Sequence, residues 1–350
     1  MSKLNDMSRL AECLACLAGL WCAAGVYAQT LVDVHSHIIV QEYVEMLCRH
    51  DAALEETFPL PDWDERAQLS FMDSAGIGTA VLTMPAPQPY FGDVAEAASC
   101  IRLVNERCAE VKGRHARRFL FCAALPLPDV GAAVAEAVYA LDTLGADGVK
   151  LATNSRGQYL GDAALDTLMQ VLDDRSAVVI IHPHKPVPCN EDLTASVPLA
   201  MNEYPAETTR AVVNMLARNV PARYPHIKFI VPHCGSFLPP AIPRMKSILP
   251  AMVAAGYMQP IDWDANLRNL YYDLAGNPTM DVIRALLTVT TPDHIMYGSD
   301  YPYLPASVLL DNAARLRRAL EADAVLSAYA GMFLGGNAAR LFGINHFKQQ

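Results

Sequence analysis

The segment LVDVHSH, residues Leu31–His37, begins as a run of apolar and β-branched residues and ends with two histidines separated by one residue. Residues i and i+2 of a β-strand face the same way, so His35 and His37 can both project from the carboxyl end of one strand. This arrangement is typical of a pair of metal ligands, although two surface or hydrogen-bonded histidines would show the same spacing.

Three further apolar runs end in a similar way. VVIIHPH carries His182 and His184, IKFIVPHCG carries His233, and HIMYGSDYP carries Asp300. Imidazole and carboxylate groups are the ligands that hold a borderline divalent metal. Strand ends so far apart in sequence can meet at one point only where a closed sheet brings them together. The pattern therefore predicts a metal enzyme built on a barrel.

Apolar runs alternate with longer amphipathic stretches along the rest of the chain. The eight predicted strands are residues 31–37, 79–85, 119–126, 148–153, 178–184, 227–235, 270–275 and 294–302. The predicted helices are residues 64–75, 94–112, 130–144, 163–174, 206–218, 278–287 and 306–322. Continuous apolar strands that alternate with helices are typical of a parallel sheet covered by helices. Eight such units predict an α/β fold, a (β/α)8 TIM barrel in a single domain.

The predicted barrel spans residues 31–345 and is followed by a short tail, 346–350, because no linker rich in glycine or serine divides this part of the chain. Two long connections, 38–61 and 185–204, follow the carboxyl ends of the first and fifth strands. Barrel enzymes place their sites at that face, so both connections are candidates for walls or a lid.

The composition of the chain indicates a large core and excludes some kinds of binding partner. Of 350 residues, 52% are hydrophobic, which is ample for a large core, and the formal net charge of −10 argues against a nucleic-acid partner. The cysteines after residue 30 form no CxxC pair, so neither a zinc knuckle nor a disulfide framework is indicated. Cys234 follows His233 directly and could serve as a nucleophile, but a small buried apolar residue is the simpler interpretation.

The first thirty residues differ from the rest and are predicted to be a leader. Lys3 and Arg9 precede a mostly apolar stretch that ends in small residues at Ala28, the pattern of a secretory signal peptide. Glu12 interrupts the apolar stretch, and the chain has no Asn-X-Ser/Thr sequon with X other than proline. A short helix packed on the barrel, or a leader in a cytoplasmic enzyme, is the alternative. No membrane span is predicted in the mature chain.

The candidate metal ligands are His35, His37, His182 and Asp300, which offer three nitrogens and one carboxylate. That composition leaves room for water or substrate and is typical of an open catalytic site. His233 could be a fifth ligand, a general acid or base, or a hydrogen-bonded core histidine.

His184 lies beyond Pro183, where strand geometry is no longer assured, so it is predicted to line the pocket rather than to bind the metal. Other candidates for the pocket lining are Ile38, Met84, Pro85, Phe91 and Tyr303.

Taken together, these motifs resemble the amidohydrolase superfamily. Within it the match is to the branch of α-amino-β-carboxymuconate-semialdehyde decarboxylase and related aromatic-acid decarboxylases. The resemblance covers roughly residues 31–345 and rests on VDVHSH, IHPH, EYPAETTR, VPHCG, YYDLAG, YGSDYP and GNAARLFG. YLGDAALDTL, IIHPHKPV and YPAETTRAV are similar to the 6-methylsalicylate decarboxylases of polyketide pathways.

The resemblance implies roles for individual residues. His35, His37, His182 and Asp300 become the metal ligands and His233 the catalytic histidine. Arg244 matches a family arginine that reaches a neighbouring subunit and binds the substrate carboxylate, which implies a homodimer. A surface arginine on a helix is the alternative for Arg244.

The ligand motif of the first strand is HxH, as in the muconate-semialdehyde enzyme, rather than the ExH of several hydroxybenzoate enzymes. An imidazole-rich site suits zinc, with manganese as the alternative metal.

The implied reaction is non-oxidative decarboxylation of a small aromatic carboxylate, specifically 6-methylsalicylate to 3-methylphenol and CO2 in secondary metabolism. It needs a proton at the ring carbon that bears the carboxylate, and either Asp300 or His233 could deliver it. A rival hypothesis is a hydrolase of a lactone or amide, in which a carboxylated Lys150 bridges two metal ions. A barrel that binds a metabolite without catalysis is the third alternative.

Overall fold

The computed structural model describes residues 31–189, 197–276 and 278–345. The predicted leader at 1–30, its signal-peptide interpretation and the tail at 346–350 therefore lie outside the described residues, as does part of the connection 185–204. No helix within the described ranges is both long and apolar enough to cross a lipid bilayer.

Eight parallel strands form one sheet and follow each other in chain order, as the sequence predicts. We name them β1 to β8: Leu31–His37, Ile77–Thr83, Phe119–Ala124, Gly148–Ala152, Val178–His182, Lys228–Val231, Leu270–Asp273 and Ile295–Met296. A small antiparallel hairpin, Asn154–Ser155 with Gln158–Tyr159, follows β4. The predicted TIM barrel is confirmed.

The barrel closes where β1 meets the segment after β8. The amide of Val34 donates to the carbonyl of Tyr297 at 3.0 Å, and the amide of His37 donates to Tyr301 at 2.8 Å. The amide of Asp300 donates back to the carbonyl of His35 at 2.8 Å. Two predicted metal ligands are thus hydrogen-bonded to each other through their backbones across the closing seam.

A β-bulge in β1 brings both of its histidines to the barrel mouth. Asp33 pairs with Ala80 of β2 and Ser36 pairs with Leu82, so β1 contains one extra residue between these two pairs. An extra residue shifts the alternation of side chains by one position. Val34 therefore packs inside the barrel, and the side chain of the next residue, His35, also faces the interior.

Seven of the eight strands end earlier than the sequence predicts, and three of these differences affect the site. β5 and β6 stop at His182 and Val231 because Pro183 and Pro232 have no N–H to donate to the sheet. β8 comprises only two residues and ends at Met296. The prediction that His233 and Asp300 end strands was therefore wrong, since both lie on turns beyond the strands.

Helices surround the sheet and include all seven predicted segments, with shifted ends. They are Gln41–Arg49, Glu65–Ala75, Val94–Arg114, Val130–Asp142, Asp166–Asp174, Glu203–Ala217, Val220–Arg223, Leu238–Ala254, Trp263–Leu267, Met280–Leu286, Ala306–Ala322 and Asn337–Leu341. Side chains of Asp64, Asp93, Asp129 and Thr279 cap helix amino termini by accepting backbone N–H bonds.

The largest helix that the sequence pattern did not indicate is Leu238–Ala254. It contains Pro243 and Pro250 in its interior, and two more prolines, Pro239 and Pro240, follow its first residue. Proline removes a helical hydrogen bond and usually ends a helix, which is why this segment gave no helical signal.

Two apolar clusters hold the fold together. The larger lies between the strands and the surrounding helices. The smaller lies inside the barrel, where side chains such as Val34, Ile180 and Ile230 converge and meet Ala338 and Ile344 of the carboxyl-terminal segment. Burial of these chains closes the lower end of the barrel, so the cavity available for chemistry lies at the carboxyl ends of the strands.

Candidate metal centre

The structure brings the four predicted ligands together. His35, His37, His182 and Asp300 each offer one donor atom, and these four atoms lie within 4.8 Å of one another. Oδ1 of Asp300 is 3.4 Å from Nε2 of His35 and 3.1 Å from Nε2 of His37. Side chains from β1, β5 and the turn after β8 therefore converge at one end of the barrel.

Two of the imidazoles are held through Nδ1, which leaves Nε2 turned toward the cluster. Nδ1 of His182 lies 2.9 Å from the carbonyl oxygen of Pro183, which can only accept a hydrogen bond. Nδ1 of His37 lies 3.0 Å from the hydroxyl of Thr83, which itself donates to the carbonyl of Ser36. Both rings thus carry the proton on Nδ1, and their Nε2 lone pairs are free to bind a cation.

Asp273 orients the third imidazole and was not singled out by the sequence analysis. Its Oδ2 lies 2.8 Å from Nδ1 of His35. Its Oδ1 accepts the backbone amides of His233 at 2.9 Å and Ala275 at 3.0 Å. The available signal was its position in YYDLAG, at the end of a predicted strand like the ligands themselves. Asp273 therefore links a ligand to the turn that carries His233.

The donor set fits a divalent cation. Nε2 of His35 is buried and makes no hydrogen bond to a described residue. Burial acts to lower the pKa of His35, but Asp273 and Asp300 outweigh it and raise this pKa well above its usual value, so a cation that binds Nε2 replaces a proton. Burial lowers the pKa of His37 to about 4, and burial together with the charge of His37 lowers the pKa of His182 well below its usual value. Neutral imidazole is the form that binds a metal.

Asp300 and His233 both adopt left-handed backbone conformations, with φ of 62° and 54°. Such strain is found at functional sites that the surrounding structure holds in place. Gly298 permits the close approach of this turn, because a Cβ there would lie 2.8 Å from Cβ of His35.

The carboxylate of Asp300 also faces His233, with Oδ2 of Asp300 3.8 Å from Nε2 of His233. Burial acts to raise the pKa of Asp300, but the nearby imidazoles of His233, His35 and His37 outweigh it and hold this pKa well below the usual range. Nδ1 of His233 is buried without a hydrogen bond. His233 therefore stands beside the cluster, with its ring centroid 5.0 Å from that of His35.

His184 belongs to a different buried group. Its Nδ1 lies 2.5 Å from Oε1 of Glu56, and the other carboxylate oxygen of Glu56 accepts from Tyr204 at 2.7 Å and from the amide of Lys185 at 3.1 Å. This network joins the connection after β1 to the connection after β5. Glu56 was not recognised from the sequence, because its partners lie more than a hundred residues away in the chain.

The other predicted residues fall into three environments. Lys150 is 4% exposed in β4, and burial lowers its pKa to about 8. Arg244 is exposed on the helix Leu238–Ala254. Cys234 is buried, its Sγ lies 3.6 Å from the carbonyl of Ala275, and burial raises the pKa of its thiol.

Of the five candidate lining residues, Tyr303 lies beside the cluster, with its ring 5.3 Å from that of His37. Phe91 instead stacks on His50 at 4.3 Å. Ile38 and Met84 belong to the apolar cluster between strands and helices.

Comparison with known proteins places this architecture in a family. The family model described as Amidohydrolase matches residues 32–344. The chain belongs to this amidohydrolase family. This amidohydrolase is 33% identical over 291 residues to "Decarboxylase yanB" of Aspergillus niger, covering 79% of this chain and 78% of that protein. It is 31% identical over 283 residues to the "6-methylsalicylic acid decarboxylase" of Penicillium expansum, covering 80% and 87% of the two chains.

Solved structures share the barrel of this amidohydrolase. A crystal structure described as an amidohydrolase II, a structural genomics target, superposes with a TM-score of 0.81 at 31% identity, covering 89% of this chain and 99% of the other. A 5-carboxyvanillate decarboxylase from Novosphingobium aromaticivorans, determined with manganese, has a TM-score of 0.77 at 20% identity and covers 89% and 96%. At that identity the second likeness shows the fold alone.

Proposed function

We propose that this amidohydrolase removes CO2 from a small aromatic carboxylic acid without an oxidant, and that 6-methylsalicylate is its substrate. The observation that carries the proposal is the convergence of three Nε2 nitrogens and one carboxylate at the barrel mouth. Relatives at 30–33% identity are named decarboxylases, two of them for 6-methylsalicylic acid, which supports a carbon–carbon lyase.

The reaction balances with a proton alone. The bond between the ring carbon and the carboxylate breaks, its electron pair stays with the ring carbon, and that carbon takes up one proton. The products are 3-methylphenol and CO2. We propose His233 as the group that holds and delivers the proton, because Asp300 directs Oδ1 toward two imidazoles while His233 stands beside the cluster.

We propose zinc as the resident metal, held by His35, His37, His182 and Asp300, with manganese as the alternative. The imidazole-rich donor set supports zinc, whereas related structures with manganese support the alternative. A divalent cation bound there would position the substrate and stabilise negative charge on its oxygens. The residues of the chain orient the ligands, exclude water and handle the proton.

We further propose a homodimer in which Arg244 of a second copy binds the substrate carboxylate. The exposure of Arg244 on its helix supports this, because an exposed guanidinium is accessible to a second copy. The planar guanidinium suits a carboxylate because it can form two parallel hydrogen bonds. Sedimentation at working concentration tests the assembly, and a monomer with full turnover would refute it.

The deciding experiment incubates the metal-loaded enzyme with a panel of salicylates and identifies the products by mass spectrometry. We expect 3-methylphenol from 6-methylsalicylate, and one metal ion per chain by elemental analysis. Turnover restricted to lactones, esters or amides, with two ions per chain, would instead support the hydrolase that uses Lys150.

Replacement of His233 by alanine separates an enzyme from a barrel that merely binds. We expect the variant to lose turnover and keep its metal, whereas a metabolite-binding protein would be unaffected by the change. The secretory leader remains a prediction, which sequencing of the mature amino terminus tests.

A further inference from the structure

Lys150 occupies an exceptional position in this chain. Among the described residues it is the single lysine or arginine that is buried. It pairs with Ile180 of β5, and two residues further along the same strands Ala152 pairs with His182. Ile180 packs inside the barrel, so Lys150 also projects into the interior, one layer below a metal ligand. Its stem can lie along apolar neighbours while the ammonium reaches upward to the imidazoles.

The positive charge of Lys150 has no direct counter-charge. No hydrogen bond or ion pair of its ammonium exists within the described part of the chain. Glu56 is the acid whose charge acts on Lys150, but this carboxylate is already bound by His184 and Tyr204.

A buried ammonium without a direct partner is stabilised by an anion that enters the pocket, because burial of a charge requires a partner. Lys150 lies one layer below His182 in the paired strands and offers three N–H donors. A substrate carboxylate held beside the candidate ligands is therefore a natural partner for it.

We propose that Lys150, as an unmodified ammonium, binds the carboxylate of the substrate from the floor of the pocket within the same subunit, in addition to Arg244 of a second copy. This deepens the proposed function and rests on it. In this role Lys150 does not bridge two metal ions, so the decarboxylase requires only one ion per chain. The carboxylate would then lie toward β4, and the aromatic ring would extend from it toward the open mouth.

Titration calorimetry on the metal-loaded, full-length chain tests the proposal. The background carries His233→Ala, so that substrate binds without being consumed. Three proteins are compared: the His233→Ala background, the same background with Lys150→Met, and the same background with Lys185→Met. Each is titrated with 6-methylsalicylate and with 3-methylphenol, which differ only in the carboxylate. Lys185 is the matched control, because its ammonium already lies 3.3 Å from the carboxylate of Glu55.

We expect Lys150→Met to weaken binding of 6-methylsalicylate at least about tenfold, the loss of one hydrogen bond to a charged group. Binding of 3-methylphenol should be unchanged, and Lys185→Met should affect neither ligand. Elemental analysis should find one metal ion per chain in every variant. Lys150→Gln, which keeps a polar side chain but removes the positive charge, should weaken the binding of 6-methylsalicylate in the same way.

Three results would overturn the proposal. Equal weakening of both ligands would mean that Lys150 shapes the pocket without binding the carboxylate. Loss of metal in Lys150→Met would make Lys150 part of the metal site, as a carboxylated lysine would be. Absence of 6-methylsalicylate binding to the background chain would also refute it. The proposed function has a separate test. If the enzyme with His233 intact decarboxylates no salicylate, the proposed function is refuted, while the calorimetry still decides whether Lys150 binds the carboxylate.

Discussion

Replacement of Asp273 by asparagine tests how the metal centre is built. The wild-type carboxylate is fully buried and accepts hydrogen bonds from Nδ1 of His35 and from the amides of His233 and Ala275, at 2.8, 2.9 and 3.0 Å. Asparagine can keep its oxygen on the two amides, but its NH2 group then faces Nδ1 of His35. That nitrogen must now accept, so the ring proton moves to Nε2, the atom that the metal requires.

The expected magnitude follows from the inverted hydrogen bond. A hydrogen bond to a charged group contributes about 1.5–3 kcal/mol, and about 2 kcal/mol corresponds to about a 30-fold loss of metal affinity. This lies within the range of about 10–100-fold found when a partner of a ligating histidine is removed. Competition with a fluorescent zinc chelator measures the affinity directly, independent of turnover.

Asp33→Asn is the matched control for this experiment. Asp33 is equally buried and accepts from the amides of His35 and Ser299 and from the hydroxyl of Ser299, but it touches no imidazole ring. Its asparagine variant should therefore bind metal like the wild type. If Asp273→Asn also binds like the wild type, or if both variants lose metal equally, the tautomer argument is wrong.

Three further predictions concern stability, metal dependence and reactivity. In chelator-treated protein at pH 7, Lys150→Met should raise the free energy of unfolding by up to about 3 kcal/mol, because burial lowers the pKa of Lys150 from 10.5 to about 8. Between about pH 8 and pH 10.5 the folded state has lost this proton while the unfolded state still holds it. The free energy of unfolding of the wild type should therefore rise over this range, and denaturant titrations should show its difference from Lys150→Met becoming smaller. Chelation should abolish turnover and lower the melting temperature, and zinc or manganese should restore both; turnover without metal would contradict the site. Cys234→Ala should keep wild-type turnover, because the thiol is buried with a raised pKa, and an inactive but folded variant would show otherwise.

The barrel and the convergence of the four candidate ligands could be predicted because their signals are local. Each strand is an apolar run of a few residues, and each ligand follows such a run in sequence. The spacing of His35 and His37 places both on one face of β1. Parallel strands present their carboxyl ends at the same edge, so residues that end different strands gather without further information.

The groups that orient the ligands could not be predicted, because they depend on registers between distant segments. Thr83 reaches His37 only through the bulge that sets the pairing of β1 with β2. Glu56 meets His184 across two connections of irregular shape. The left-handed turns at His233 and Asp300 likewise result from tertiary contacts, since a positive φ is uncommon for any residue other than glycine, even though histidine and aspartate adopt it more often than most.

The seam of the barrel determines when the metal can be taken up during synthesis. His37 and Asp300 are 263 residues apart, and the amide of Asp300 is fixed by the carbonyl of His35 across the seam. A nascent chain on the ribosome therefore displays the HxH pair long before its acidic partner emerges from the exit tunnel. Metal loading must wait until the carboxyl-terminal segment is released, and a truncated product lacking that segment cannot acquire the ion in its catalytic form.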